Sequence, residues 1–387
     1  MRVLIVNSVC GVGSTGRICT DLYDELIKNG HECCIAYGRG SSDDRYNTYQ
    51  ISNQWDNYWH VFETRFLDNH GFASRAVTRK FIDFIKEYKP DVIHLHNIHG
   101  YYLNVKLLFS YLNEFNGKIV WTFHDQWVFS SHEAYIFENQ LDKTRFFEYP
   151  KTFFPFRDNL ELKRSIFSNI PQEQAVIVSP SKWLLESIKS SYLPYDVEVI
   201  NNGIDLTKFY PQNADRLIEK YQLDSKKVIL GCSNIWDNRK GLNHFIELSK
   251  KIQSDYQIVL IGKTKEKLPD NIIHIPRTDS IETLAKWYSL SYVFFNPTQM
   301  ENFPTVNIES LACGTPIVTF VKGGSGEVVD NQVGKIVKNV DEFLLILETI
   351  DFEEMNRSCV EKSKNYESKI MVDNYIDLYS RIGKLLV

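Results

Sequence analysis

The stretch Glu301-Asn302-Phe303-Pro304-Thr305-Val306-Asn307-Ile308-Glu309-Ser310-Leu311-Ala312-Cys313-Gly314-Thr315-Pro316-Ile317-Val318 sets the reading of the chain. An apolar run, residues 292–297, precedes it and reads as a strand. Pro304 suits the first turn of a helix, where its missing N–H would have no partner anyway. Gly314 ends that helix and Pro316 bars its continuation. Residues 316–320 are the next strand. Strand, helix and strand in such short order make a unit of a parallel sheet. Glu301 falls in the loop before the helix and Glu309 more than a turn inside it, so two carboxylates flank one helix start. The N–H groups of Thr305 and Val306 point out of that start, ready for a phosphate. A carboxylate beside a phosphate site suits hydroxyls of a sugar and a ribose. The plain alternative is two surface glutamates.

Upstream in the same half, Asp237-Asn238-Arg239-Lys240-Gly241 follows a strand at 228–232 and opens a helix. Two adjacent cations at a helix start favour an anion; a solvated basic turn is the alternative. Taken with the two glutamates, they point to a diphosphate site. Further strands are expected at 257–261, 272–274 and 293–296. The first half repeats the alternation, with strands at 3–6, 32–37, 92–96, 118–123, 175–179 and 197–201. Helices are expected between them at 16–28, 73–87, 103–113, 160–168 and 182–190. The turn-rich Asn201-Asn202-Gly203 and residues 209–213 mark the boundary. The expected domains are 1–205 and 206–367, with a closing helix over 368–387.

Gly11-Val12-Gly13-Ser14-Thr15-Gly16 matches a dinucleotide fingerprint, but four residues separate it from the strand. The second strand also ends without an acidic residue to hold a ribose. A phosphate- or sugar-facing loop therefore competes with an unliganded turn. His94-Leu95-His96-Asn97 and Thr122-Phe123-His124-Asp125 close two strands, and ligands of open parallel sheets sit outside strand carboxyl ends. His96, Asn97, His124 and Asp125 are candidates for contact with a sugar. Structural histidines, and a metal site in which His99, His124 or His132 joins His94 and His96, are the alternatives.

With 387 residues, 43% hydrophobic and 24% charged, the chain has an ordinary globular make-up. A net charge of −5 gives no reason to expect nucleic acid. Seven scattered cysteines form no Cys-x-x-Cys pair and fit a reducing compartment. No apolar run approaches the ~18–20 residues of a membrane span. A cytoplasmic protein is expected, peripheral to a membrane at most. Residues 143–164 raise that last point, with Phe146, Phe147, Phe153, Phe154 and Phe156 among Lys143, Arg145, Lys151, Arg157, Lys163 and Arg164. The segment is either a membrane-facing loop or a set of phenylalanines packed as core.

These motifs resemble family 4 glycosyltransferases of the GT-B fold, in the bacterial polysaccharide, capsule and lipopolysaccharide branch. The glutamate pair with seven residues between its members, followed by Ala312-Cys313-Gly314-Thr315-Pro316, is the most specific element. Lys240-Gly241, His96-Asn97, His124-Asp125, Pro180-Ser181-Lys182, Asn201-Asn202-Gly203-Ile204-Asp205 and Gly323-Gly324-Ser325-Gly326-Glu327 are similar to further landmarks. The resemblance implies two Rossmann-like, doubly wound domains facing a cleft, with a nucleotide-sugar donor in the second and a saccharide or polyprenyl-linked acceptor on the first. It implies a ribose on Glu309, a donor-sugar hydroxyl on Glu301, and the diphosphate on Lys240 with an arginine. Gly13, Phe303, Thr305 and Val306 would complete the donor site, and His124 would touch the donor sugar. His96, Asn97 and Asp125 would lie on the acceptor side. Transfer would be retaining, and neither cofactor nor metal is expected, since no Asp-x-Asp occurs. Three features depart from the family pattern. Asn302 and Pro304 flank Phe303 where glycines are usual, the local arginine is Arg239 beside the lysine, and 133–148 holds no cysteine. A nucleotide-sugar epimerase and a non-catalytic nucleotide-sugar binder are the rival functions.

Overall fold

The computed structural model describes residues 1–136, 152–278 and 280–383. They divide into two units, Met1–Asn201 with Val372–Val387, and Asn202–Met371. The first unit runs β1 (Arg2–Asn7), α1 (Gly13–Lys28), β2 (Glu32–Tyr37), β3 (Thr48–Gln50), α2 (Gln54–Leu67), α3 (Arg75–Tyr88) and β4 (Val92–Leu95). It continues with α4 (Val105–Leu112), β5 (Lys118–Thr122), α5 (Asn159–Phe167), β6 (Ala175–Ser179), α6 (Lys182–Lys189) and β7 (Asp196–Val199). The second holds α7 (Asp215–Tyr221), β8 (Lys227–Ile235), α8 (Leu242–Ser249), β9 (Tyr256–Lys263), β10 (Ile272–Ile275), α9 (Ile281–Ser289) and β11 (Val293–Asn296). After these come α10 (Thr305–Ala312), β12 (Ile317–Phe320), β13 (Gly334–Val337), α11 (Val340–Thr349), α12 (Asn356–Ser363) and α13 (Ser368–Gly383).

Both sheets are parallel, ordered β3-β2-β1-β4-β5-β6-β7 and β10-β9-β8-β11-β12-β13. Each is a doubly wound, Rossmann-like sheet whose strand order reverses once. The reversal lies between β1 and β4 in the first sheet and between β8 and β11 in the second. Parallel strands covered by helices on both faces must be apolar throughout. Val3–Val6 and Ile258–Leu260 are accordingly buried. One apolar cluster packs Leu230, Val259 and Phe294 with Ile308 and Leu311 of α10. Another, on the opposite sheet face, packs Ile229, Ile258 and Phe295 with Phe245 of α8. The helices that carry the charged motifs are thus held by their apolar faces.

The last helix, α13, starts in the second unit and belongs with the first from Val372 onward. There the Tyr379 hydroxyl lies 2.5 Å from His94 Nδ1 and the Tyr375 hydroxyl 2.9 Å from Thr122 Oγ1. His94 Nε2 is 2.8 Å from the same Thr122 hydroxyl. Both ring nitrogens of His94 are thereby occupied, and this histidine works as a structural bracket between sheet and helix.

The structure adds β3, α2, α7, β13, α11 and α12 to the expected elements and corrects two expectations. Lys163, counted among the surface cations, is fully buried on α5, its ammonium donating to the carbonyls of Trp127 (2.7 Å) and Ser130 (3.0 Å). Helical spacing puts it on the same inward face as Asn159 and Ile166. The alternative that Phe153, Phe154 and Phe156 are core also fails, for all three are exposed. Residues 143–151, with Lys143, Arg145, Phe146, Phe147 and Lys151, lie outside the described residues. Among the described residues no helix is long and apolar enough to cross a membrane.

Candidate functional site

Open parallel sheets bind ligands at the carboxyl ends of strands, where the order reverses. In the second unit that place is framed by the segments following β8 and β11. The first is Asp237–Gly241, the second the loop 297–304. Gly241 joins them. It caps α8 at φ +83°, and a Cβ there would stand 2.2 Å from the Pro297 carbonyl oxygen. Only glycine lets the two segments approach this closely. The Arg239 carbonyl accepts from the Gln299 N–H at 2.7 Å and the Thr298 hydroxyl at 3.2 Å. The Lys240 N–H donates to Asp237 Oδ1 at 2.8 Å.

Glu301 is buried at the centre of this junction. Its Oε1 accepts from Arg239 Nη1 at 2.9 Å and from the Lys240 ammonium. Arg239 also donates to the Met300 carbonyl at 3.0 Å. Its side chain therefore faces the site, a point the sequence left open. Burial alone would push the Glu301 carboxyl up. The two cations and their hydrogen bonds outweigh it and hold the group below the usual carboxylate range. From behind, Gly324 N–H donates to the Glu301 carbonyl at 2.9 Å. Gly323 adopts φ +64°, and a Cβ on it would collide with that same carbonyl oxygen at 2.1 Å. The glycine loop after β12 is thus a backstop for Glu301.

Pro304 forms the N-cap of α10 and supplies no side-chain cap. The N–H groups that open the helix, those of Thr305 and Val306, have no acceptor within it. Glu309 sits one turn in, buried, and its Oε2 accepts from the Tyr288 hydroxyl at 3.2 Å. Asn307 anchors the helix by accepting from Asn296 Nδ2 and donating to the Ser325 carbonyl, each at 2.8 Å. The Phe303 ring turns inward, 5.8 Å from that of Tyr366, and its carbonyl accepts from Asn202 Nδ2 at 3.0 Å. Tyr288, Asp237 and Gln299 were not found from sequence. Tyr288 and Gln299 carry no local signal, whereas Asp237 stands three residues before Lys240, the spacing of a turn cap.

In the first unit the reversal point brings together the loop after β1 and the end of β4. Gly11 and Gly13 take φ +66° and +69°, and the Gly11 N–H closes the loop on the Gly16 carbonyl at 3.1 Å. The Asn97 N–H donates to Asn7 Oδ1 at 3.3 Å. On the neighbouring strand end, His96 Nδ1 lies 2.9 Å from His124 Nε2. His99 Nε2 lies 2.8 Å from Asp125 Oδ2, whose partner oxygen accepts the Trp127 N–H at 3.0 Å. Burial pushes His124 down to about 4 and His96 well below the ordinary histidine value, so both rings are neutral near pH 7. Asp125 is held low, as the His99 charge and hydrogen bond outweigh its burial. His132 is not part of this group: it pairs with Asp68 at 2.8 Å. Among the described residues no cluster of three histidine, cysteine or carboxylate side chains has metal-holding geometry.

Residues 213–367 match the model "Glycosyl transferases group 1", and residues 15–208, half of the chain, match "Glycosyltransferase Family 4". The chain is 20% identical to the putative colanic acid biosynthesis glycosyl transferase WcaC of Escherichia coli, over 99% of this chain and all of that one. Among solved structures, the sucrose-phosphate synthase of Thermosynechococcus elongatus aligns with a TM-score of 0.73 at 16% identity, covering 99% of both chains. Anabaena HepE in complex with UDP-glucose aligns with a TM-score of 0.69 at 12% identity, covering 98% of this chain and 100% of that one. The two Rossmann-like units are those of the GT-B architecture. The chain is a glycosyltransferase and belongs to Glycosyltransferase Family 4.

Proposed function

We propose that this glycosyltransferase moves a sugar from a nucleoside-diphosphate donor, with retention of anomeric configuration and without a metal. The observation that carries the proposal is the Arg239–Lys240–Glu301 junction beside the open start of α10. Arg239, Lys240 and the N–H groups of Thr305 and Val306 offer positive charge and donors to a diphosphate. Glu309, buried one turn further in, grips ribose hydroxyls, and Glu301 takes a hydroxyl of the donor sugar. HepE's complex with UDP-glucose supports a donor of this class.

An acceptor hydroxyl attacks the anomeric carbon on the face from which the diphosphate leaves. The bond from that carbon to the phosphate oxygen breaks, the new glycosidic bond forms, and the departing phosphate oxygen takes the acceptor proton. Lys240 and Arg239 stabilise the leaving charge in place of a metal. His124 is neutral, so it would serve a sugar as a hydrogen-bonding group, not as a charge. In the first unit, Gly13 belongs to a phosphate- or sugar-facing loop, and His96, Asn97 and Asp125 serve the acceptor. That acceptor is a saccharide, free or carried on a polyprenyl lipid at the inner membrane, in surface polysaccharide synthesis in the cytoplasm. The similarity to WcaC supports this setting.

Mass spectrometry of the purified chain with a panel of nucleotide sugars and saccharide acceptors, in excess chelator, tests the proposal. Transfer should persist, and NMR of the product should show the donor's anomeric configuration. Activity that vanishes with EDTA and returns with Mg²⁺, or an inverted product, contradicts it. Conversion of donor without acceptor would favour the epimerase.

A further inference from the structure

Helix α2 is built inside out. Its inward positions are polar: His60 and Thr64 are buried, and Asn57 faces the same way. Hydrogen bonds fix that face. Asn57 Nδ2 donates to Ser52 Oγ at 2.7 Å and to the Tyr101 carbonyl at 3.1 Å. His60 Nδ1 meets the Ser74 hydroxyl at 2.8 Å, while its Nε2 accepts the Gly71 N–H at 3.2 Å. A capping box between Asn53 and Asp56 starts the helix. Its register is therefore set by polar contacts, not by burial of an apolar stripe.

The apolar stripe points the other way. Trp55, Tyr58, Trp59, Phe62 and Phe66 follow helical spacing on one face, and all are exposed, Trp55 by 80% and Trp59 by 60%. Trp55 and Tyr58 pair at 6.2 Å, and from Trp59 onward the rings form a continuous row. Trp59 stacks on Phe62 at 5.2 Å, Phe62 meets Phe66 at 4.8 Å, and Phe66 meets Phe153 at 5.2 Å. The Phe153 N–H donates to the Arg65 carbonyl at 2.7 Å, which pins it to the end of the row. An aromatic surface of this extent on one helix calls for a covering phase.

The charges of the same stretch of sequence select which phase. Between Asn53 and Lys80 the exposed charged residues are Arg65, Arg75, Arg79 and Lys80, all basic, on a chain of net charge −5. The acids of this stretch are turned to internal use: Asp56 in the capping box, Glu63 accepting from Asn69, and Asp68 buried. Tryptophan and tyrosine rings settle at the headgroup level of bilayers, and basic side chains seek anionic headgroups. At 14 residues α2 is too short to span a bilayer, but a helix of this kind lies in the interface plane.

We propose that the outward face of α2, extended by Phe153, docks the first unit on an anionic lipid surface. A lipid-linked acceptor would bring the enzyme to such a surface. Lipid docking is nevertheless separable from sugar transfer, because it is measured with neither donor nor acceptor present.

Vesicle flotation of the full chain tests it, with phosphatidylcholine alone against phosphatidylcholine containing about one-third phosphatidylglycerol. The wild type should float with the anionic vesicles and be released by salt. Brominated lipid should quench part of its tryptophan fluorescence. The Trp55→Gln/Trp59→Gln chain should bind at least about tenfold more weakly and lose that quenching, with an unchanged melting temperature because both side chains are exposed. Arg65→Gln with Arg79→Gln should remove the preference for anionic vesicles. Three results overturn the proposal. They are a wild type that does not float, a folded double tryptophan variant that floats as well as wild type, and a wild-type dimer that the same variant dissociates in the absence of vesicle binding. The last would make a second copy the occupant.

Discussion

Glu301 holds two cations with one carboxylate oxygen, and this decides what each residue change should do. Lys240→Ala removes a charge proposed for the leaving diphosphate. Loss of one preorganised contact of this kind costs about 2–4 kcal/mol of transition-state stabilisation. Since Arg239 shares the carboxylate, Arg239→Ala should cost a similar amount. Glu301→Ala should mainly lower turnover, because it removes a sugar contact and releases both cations from their fixed positions. Steady-state kinetics separates these effects, and near-normal turnover of Lys240→Ala would mean the diphosphate lies elsewhere. Glu309→Gln keeps the shape of the side chain and one acceptor oxygen, so its effect should fall on donor affinity. Much of this was legible in advance, because Glu301, Glu309, Lys240 and Gly241 sit at spacings that a strand-turn-helix unit must respect. The inward turn of Phe303 was not legible, since it depends on Tyr366, far along the chain.

At the scale of elements, the buried histidines of the first unit carry a pH dependence. His60 and His70 each accept an N–H, from Gly71 and from Trp127, and must be neutral to do so. Burial, the leading cause, drives His60 to about 3 and holds His70, His94 and His96 well below the ordinary value. These groups bind protons in the unfolded chain before they do in the folded one. Their contribution to stability is therefore complete above about pH 6.5 and is lost as the pH falls from there toward the folded values, at about 1.4 kcal/mol per pH unit for each independent group. Thermal melts should show the midpoint dropping between pH 6.5 and 5, before ordinary carboxylates titrate. A midpoint that stays level to pH 4.5 would contradict the buried neutral rings. The central strands were readable because strands covered on both faces are continuous apolar runs. Helix α2 carried helical spacing too, at Trp55, Tyr58, Trp59, Phe62 and Phe66; what spacing does not show is that this aromatic face is exposed and the polar face buried. The three-residue β3 and the half-exposed β13 offered too little pattern to detect.

At the scale of the whole chain, one strand order is used twice. The sequence showed the alternation of strand and helix in both halves, but not the order, which is set by packing between distant segments. That order places the candidate residues, since each half has one reversal point and the motifs cluster there. In the second unit the reversal point gathers Arg239, Lys240 and Glu301 beside α10. We propose that this unit holds the nucleoside diphosphate of the donor there. Calorimetric titration of the wild type with UDP, GDP, ADP and dTDP tests it without knowledge of sugar or acceptor. At least one should bind without added metal, and the same nucleotide should bind about tenfold or more weakly to both Lys240→Ala and Glu309→Gln, the loss of one charge-assisted contact. Binding left unchanged by both substitutions, or no binding by any of the four, would contradict it.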